Sequence, residues 1–173
     1  GCDKDCHRRR FKTKLIAMGM CGYDRVLIEP SGIFDMDEFF DALHEEPLDR
    51  WYQIGNVIAV VDAGLDEKMS EEADYILASE VADAGCIVLS KTQEASEKYI
   101  ENTVKHLNRA LEAVHCKRKF GEDEIIWKDW EQFETEDFER ILNSGYIAED
   151  YEKMSLDEKE VFKSLYFMDL EIS

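Results

Sequence analysis

Three short apolar runs rich in β-branched residues punctuate the chain. They are Arg25-Val26-Leu27-Ile28-Glu29, Asn56-Val57-Ile58-Ala59-Val60-Val61-Asp62 and Gly85-Cys86-Ile87-Val88-Leu89-Ser90. Each is nearly continuous rather than alternating, the pattern of strands buried on both faces in a parallel sheet. Each ends on a polar residue: Glu29, Asp62 and Ser90. Glu124-Ile125-Ile126-Trp127 is a weaker fourth strand. The intervening segments carry helical spacing. Phe11 to Met20 places Phe11, Leu15, Ile16 and Met18 roughly on one side. Asp35 to Leu43 opens with Asp35 and has Glu38 three residues on, a capping-box pattern, with Met36, Phe39, Phe40 and Leu43 apolar. Ser70 to Val81 shows Ala73, Ile76, Leu77 and Val81. The longest stripe is Ile100, Val104, Leu107, Leu111 and Val114, within Ala95 to Val114. A helix from Thr135 should bury Phe138, Ile141 and Leu142 and stop at Gly145. A last one should start at Ser155, with Glu158 completing a second capping box and Leu156, Val161, Phe162 and Leu165 inward. Strands alternating with helices predict an α/β fold, a mainly parallel sheet flanked by helices.

A length of 173 residues fits one domain, or one with an appendage. The soft boundary lies at Cys116 to Asp123. It divides a main portion, 1–115, from an acidic, mostly helical extension, 116–173. Forty acidic residues against 21 basic ones give a net charge of −19. That field repels phosphate backbones and anionic lipid, which argues against nucleic-acid and membrane partners. Backbone N–H groups can still hold a small anion locally. No apolar run approaches the roughly 18 residues of a membrane span, and no signal peptide is visible. The first residue is Gly, so a processed or truncated chain is expected. Five cysteines, an odd number in a chain too long for a disulfide scaffold, predict a reducing, cytoplasmic setting. Cys86 and Cys21 lie in apolar stretches and are expected to be core thiols. Cys2 and Cys6, followed by His7, stand in polar surroundings.

In an open parallel sheet, ligands bind beyond the carboxyl ends of the strands. Position alone therefore makes Glu29, Ser31, Gly32, Asp62, Ser90 and Lys91 candidates. A carboxylate at Glu29 suits a hydrated Mg²⁺, a hard cation that prefers oxygen. Gly32 would let backbone N–H groups approach a phosphate. Spacing alone is equally satisfied by an ordinary strand-to-helix turn with a solvated Glu29. In Ser90-Lys91-Thr92-Gln93, Lys91 can lay its aliphatic stem along a purine ring. A plain polar loop is the alternative.

Taken together, Tyr23 to Gly32, Val60-Val61-Asp62-Ala63 and Ala82 to Gln93 resemble the CobW-type family of P-loop GTPases, which serve metal trafficking and are related to metallocentre-assembly factors. The likeness covers roughly residues 1 to 115 and continues more faintly to about 146. Its strongest element, Ile28-Glu29-Pro30-Ser31-Gly32, matches the family's Glu-x-Ser-Gly switch motif. The resemblance implies a P-loop NTPase-like, three-layer fold. It also implies Mg²⁺ near Glu29, with Ser31 and Gly32 facing the γ-phosphate. Ser90, Lys91 and Gln93 would lie at the base of GTP.

Three departures qualify the likeness. The family's base motif is Asn-Lys-x-Asp; here only Lys91 is kept, and a Gln93 amide offers one acceptor oxygen beside a competing donor, so guanine specificity is open. The family's Cys-x-Cys-Cys motif is replaced by Cys2-Asp3-Lys4-Asp5-Cys6-His7. Cys2, Cys6 and His7 suit Zn²⁺, with a fourth ligand from elsewhere; haem attachment needs one residue fewer between the cysteines. Finally, no Gly-x-x-x-x-Gly-Lys-[Ser/Thr] occurs in these residues. The expectation is a chain lacking the N-terminal strand, P-loop and first helix, unable to hydrolyse GTP by itself. Its sheet should then expose an edge open to another copy. A metalloprotein client is the implied partner. The competing reading is a non-enzymatic acidic interaction module that has lost nucleotide binding; a small metal-binding domain is a third.

Arg8, Arg9 and Arg10 with Lys12 and Lys14 form a basic cluster that fits a solvated helix face. Trp51, Trp127 and Trp130 are expected to pack. No nucleophile–His–acid arrangement is visible.

Overall fold

The computed structural model describes residues 4–29, 36–65 and 68–153, with backbone only for 4–7, 36–38 and Glu122. The chain forms two compact units, Gly1–Ile54 and Gly55–Ser173.

In the first unit, α1 spans Lys4–Met20, α2 Met36–Leu43 and α3 Leu48–Trp51. Leu15, Ala42 and Leu48 are buried. Phe11 and Phe39 meet with ring centroids 5.2 Å apart. The Tyr52 hydroxyl donates to the Leu15 carbonyl at 2.7 Å. Glu45 receives Arg8 and Lys12 from α1. Two expectations fail here. Arg25–Glu29 forms no strand: residues 25–29 belong to no strand or helix, and Leu27 is 87% exposed. Continuous apolarity becomes a strand only where a neighbour completes the backbone ladder, and no strand lies among the described residues of this unit. Cys21 is exposed rather than a core thiol. It sits in the turn after α1, where Gly22 has φ 74° and carries the chain off the helix. The predicted Asp35 cap lies outside the described residues.

In the second unit, β1 is Ile58–Asp62, α4 Glu71–Ala82, β2 Cys86–Ser90, α5 Glu97–Ala113, β3 Ile125–Ile126 and α6 Thr135–Leu142. The sheet order is β1-β2-β3, all parallel, with Ile58 opposite Cys86 and Asp62 opposite Ser90. This is the expected α/β arrangement, a parallel sheet flanked by helices. Ser70 caps α4 by accepting the Ala73 N–H at 3.2 Å. The buried Thr103 hydroxyl donates to the Ala63 carbonyl at 2.7 Å, tying α5 to the end of β1.

Two consecutive right-handed crossovers in one direction put both helices on the same face of a sheet. On that face Ala59, Val61, Ile87, Leu89 and Ile125 join Leu107 and Leu111 of α5 in the core. On the other, Ile58 is 42% and Val60 69% exposed. So β1 is buried on one face, not on both as its apolarity predicts. Among the described residues β1 also has a strand neighbour on one side only.

Helix α6 forms where expected, but none of its residues is buried, and Phe138 and Leu142 are about half exposed. It is held by other means. Asn56 donates to the Leu142 carbonyl at 2.6 Å and accepts the Gly145 N–H at 2.9 Å. The predicted helix from Ser155 lies outside the described residues. Among those described, no helix is long and apolar enough to cross a membrane.

Candidate functional site at the carboxyl ends of the strands

The parallel register brings Asp62 and Ser90 side by side at the ends of β1 and β2. One Asp62 oxygen accepts the Gly64 N–H at 2.8 Å; the other accepts from the Lys91 ammonium at 2.6 Å. Lys91 has φ 56°, a left-handed conformation uncommon outside glycine. The turn continues with Glu94 N–H donating to the Lys91 carbonyl at 3.0 Å. The Ser90 hydroxyl donates to the Val61 carbonyl at 3.3 Å. The start of the loop is therefore tied to the neighbouring strand.

Burial alone would raise the Asp62 pKa, but hydrogen bonds from Lys91 and Gly64, with the Lys91 charge, outweigh it and hold the carboxyl below its usual value. A lowered carboxylate pKa contributes stability above the unfolded value, and that contribution is lost as pH falls through the folded one. Because both side chains are more than a third exposed, the contribution is below about 1 kcal/mol. Asp62 is therefore ionised at neutral pH, and the pair loses its charge attraction only in acid. By NMR, the Asp62 carboxyl should titrate below the ordinary value of about 3.9, and Lys91→Ala should move it up.

Beside this pair lies a cavity of about 370 Å³, within the roughly 300–1,000 Å³ of small-molecule pockets. Ser90, Lys91 and Gln93 line one part, and Lys128, Trp130 and Phe133 another. Val60 and Val88, from the sheet face that α4 and α5 leave uncovered, also contribute. The three tryptophans are not packed as expected: Trp51 is 49%, Trp127 53% and Trp130 67% exposed. Trp130 is the functional candidate that sequence reasoning misses. The available signal is an indole inside the charged stretch Lys128-Asp129-Trp130-Glu131, three residues after Trp127.

The structure thus brings Ser90, Lys91, Gln93 and Asp62 together. Glu29 is exposed at the end of the irregular segment in the first unit. Ser31, Gly32 and Cys2 lie outside the described residues. Cys6 and His7 fall in the first turns of α1, where backbone alone is described. Among the described residues no group of three or more His, Cys, Asp or Glu could hold a metal.

A family model described as the CobW/HypB/UreG nucleotide-binding domain matches residues 4–121. No curated protein and no solved structure matches the chain significantly.

Proposed function

The chain belongs to the CobW/HypB/UreG family of P-loop GTPases, and from that membership we propose that it serves a GTP-dependent step in metal trafficking or metallocentre assembly, with Ser90, Lys91 and Gln93 at the nucleotide base. The cavity beyond β1 and β2 carries this reading. It lies where open parallel sheets receive ligands. It offers the Lys91 stem, polar groups at Ser90 and Gln93, and apolar surface at Val60 and Val88, a combination that suits a flat heterocycle.

We assign Glu29, Ser31 and Gly32 to Mg²⁺ binding and γ-phosphate sensing on their match to the family's Glu-x-Ser-Gly motif, Glu29 supplying the hard oxygen that Mg²⁺ prefers. Mg²⁺ would neutralise charge on the phosphates when bound. Cys2, Cys6 and His7 supply soft and borderline donors for a cargo metal such as Zn²⁺, destined for a metalloprotein client. The 173 residues contain no Gly-x-x-x-x-Gly-Lys-[Ser/Thr] cradle. Base recognition, not hydrolysis, is therefore what we assign to them. The edge of β1 that has no strand neighbour among the described residues, with the exposed Ile58 and Val60, favours a second reading, a protein-interaction module that pairs through that edge with a second copy or another protein.

Titration with nucleosides, which need no phosphate cradle, separates the readings. Guanosine should shift the amide resonances of Ser90 to Gln93, and Lys91→Ala should weaken binding at least about fivefold, the loss of one contact worth ~1 kcal/mol. Absence of any nucleoside response, together with concentration-dependent self-association, would establish the second reading instead.

A further inference from the structure

We infer that Trp130, braced by Phe133, is the stacking wall of this cavity, and so a base-binding residue supplied from beyond the span that the family model matches. The inference rests on the base-site reading above. It adds residues that the matched span, 4–121, does not contain.

Trp130 is two-thirds exposed. It does not stand alone: Val60, 69% exposed, and Phe133 line the same cavity, so the indole belongs to an apolar patch over a backbone that should be held. Here it is held. Trp130 opens a short 3₁₀ turn, Trp130–Gln132, and the Asp129 side chain caps that turn by accepting the Glu131 N–H at 3.1 Å. The Phe133 N–H donates to the Trp130 carbonyl at 3.2 Å. Phe133 in turn meets Phe138 of α6 edge-on, with centroids 5.6 Å apart. The turn is thereby fastened to α6, which otherwise buries nothing.

Charge identifies the occupant. Two ammonium groups border the cavity, and both have carboxylate partners. Lys91 is paired with Asp62 at 2.6 Å, and Lys128 with Asp137 at 2.7 Å. Cations already paired with carboxylates, in a chain of net charge −19, favour a neutral group over a phosphate here. A neutral planar ring fits better. It can lie on the indole and on the Lys91 stem, with its polar edge toward Ser90 and Gln93. Stacking accepts any base, because every base has a π face. Affinity would then come from Trp130 and selection among bases from Gln93.

The test uses the full chain with Trp51→Phe and Trp127→Phe, leaving Trp130 as its only indole. Guanosine and adenosine should both quench its emission saturably. Trp130→Leu should weaken both nucleosides alike, by about 5- to 150-fold, the usual range for removing a stacked aromatic. Trp130→Phe, which keeps a ring, should recover most of the loss. Binding unchanged in Trp130→Leu but weakened in Lys91→Ala would overturn the stacking wall and leave the base site standing. No quenching by either nucleoside, and no binding by NMR, would remove both. The quenching arm needs no substitution at Trp130, so the inference remains testable even if that variant folds poorly.

Discussion

Gly85→Ala should cost about 3 kcal/mol of unfolding free energy, at the upper end of overpacking penalties. A Cβ at residue 85 would stand 2.2 Å from the Gly145 carbonyl oxygen and 2.5 Å from that of Ser144. Both are main-chain atoms, so no rotamer change relieves the clash. Nor can the segment slide away easily. The Val57 N–H donates to the Gly145 carbonyl at 3.0 Å, the Gly85 N–H to the Val57 carbonyl at 2.8 Å, and Asn56 bridges Leu142 and Gly145. The substitution must break this lattice or bend β2 at its first residue. Gly121→Ala is the control: nothing lies within 4 Å of its Cβ, and the change should stay within about 0.5 kcal/mol. Urea melts of the two variants decide the matter. A Gly85→Ala loss no larger than that of the control would mean that the 144–145 segment does not rest on the strand.

That crossing explains which parts of the fold were legible in the sequence. β2, α4 and α5 have periodicities satisfied by their immediate neighbours, so local pattern and tertiary environment agree. Cys86, the first residue of β2, is buried as its apolar run predicts. β1 presents the same kind of apolar run, yet Val60 stands exposed, because crossover geometry rather than composition decides which face receives a helix. Residues 25–29 have the composition of a strand but pair with none among the described residues of their unit. The strong amphipathic pattern of α6 promises burial. The helix is instead attached through Asn56 and the Phe133–Phe138 contact, side-chain connections that periodicity cannot report. α3 is a single turn of Leu48–Trp51, too short to carry any period.

The site divides along the same line. That Ser90, Lys91 and Gln93 gather at one strand end was legible, because a strand end followed by a polar loop is a positional rule; their role at a base is the proposal. Asp62 was legible by position, but its partnership with Lys91 depends on a register, Asp62 opposite Ser90, that no local pattern encodes. Trp130 offered only a weak signal, an indole among charged residues. It lies 37 residues beyond Gln93 in the sequence and reaches the cavity only because β3 joins the edge of β2.

Gln93→Asp should raise the preference for guanosine over adenosine by about 10- to 150-fold, if the base edge faces residue 93 as proposed. Guanine presents neighbouring N–H donors on its pairing edge. The Gln93 amide answers with one acceptor oxygen and an NH₂ that competes. A carboxylate offers two acceptors and a full charge, and charged hydrogen bonds are worth about 1.5–3 kcal/mol against roughly 1 for neutral ones. Adenine presents an acceptor at the same edge, so the carboxylate repels it and selectivity rises from both sides. Residue 93 is exposed and lies in the loop between β2 and α5, so stability should change by less than about 0.5 kcal/mol. The gain should fade as pH falls through the carboxylate range near about 4, where the new acceptor takes up a proton. Parallel titrations of the two nucleosides at neutral and acid pH read all of this at once. An equal change for both nucleosides would show that residue 93 does not face the base edge, and that the loop contributes through Lys91 and the cavity wall alone.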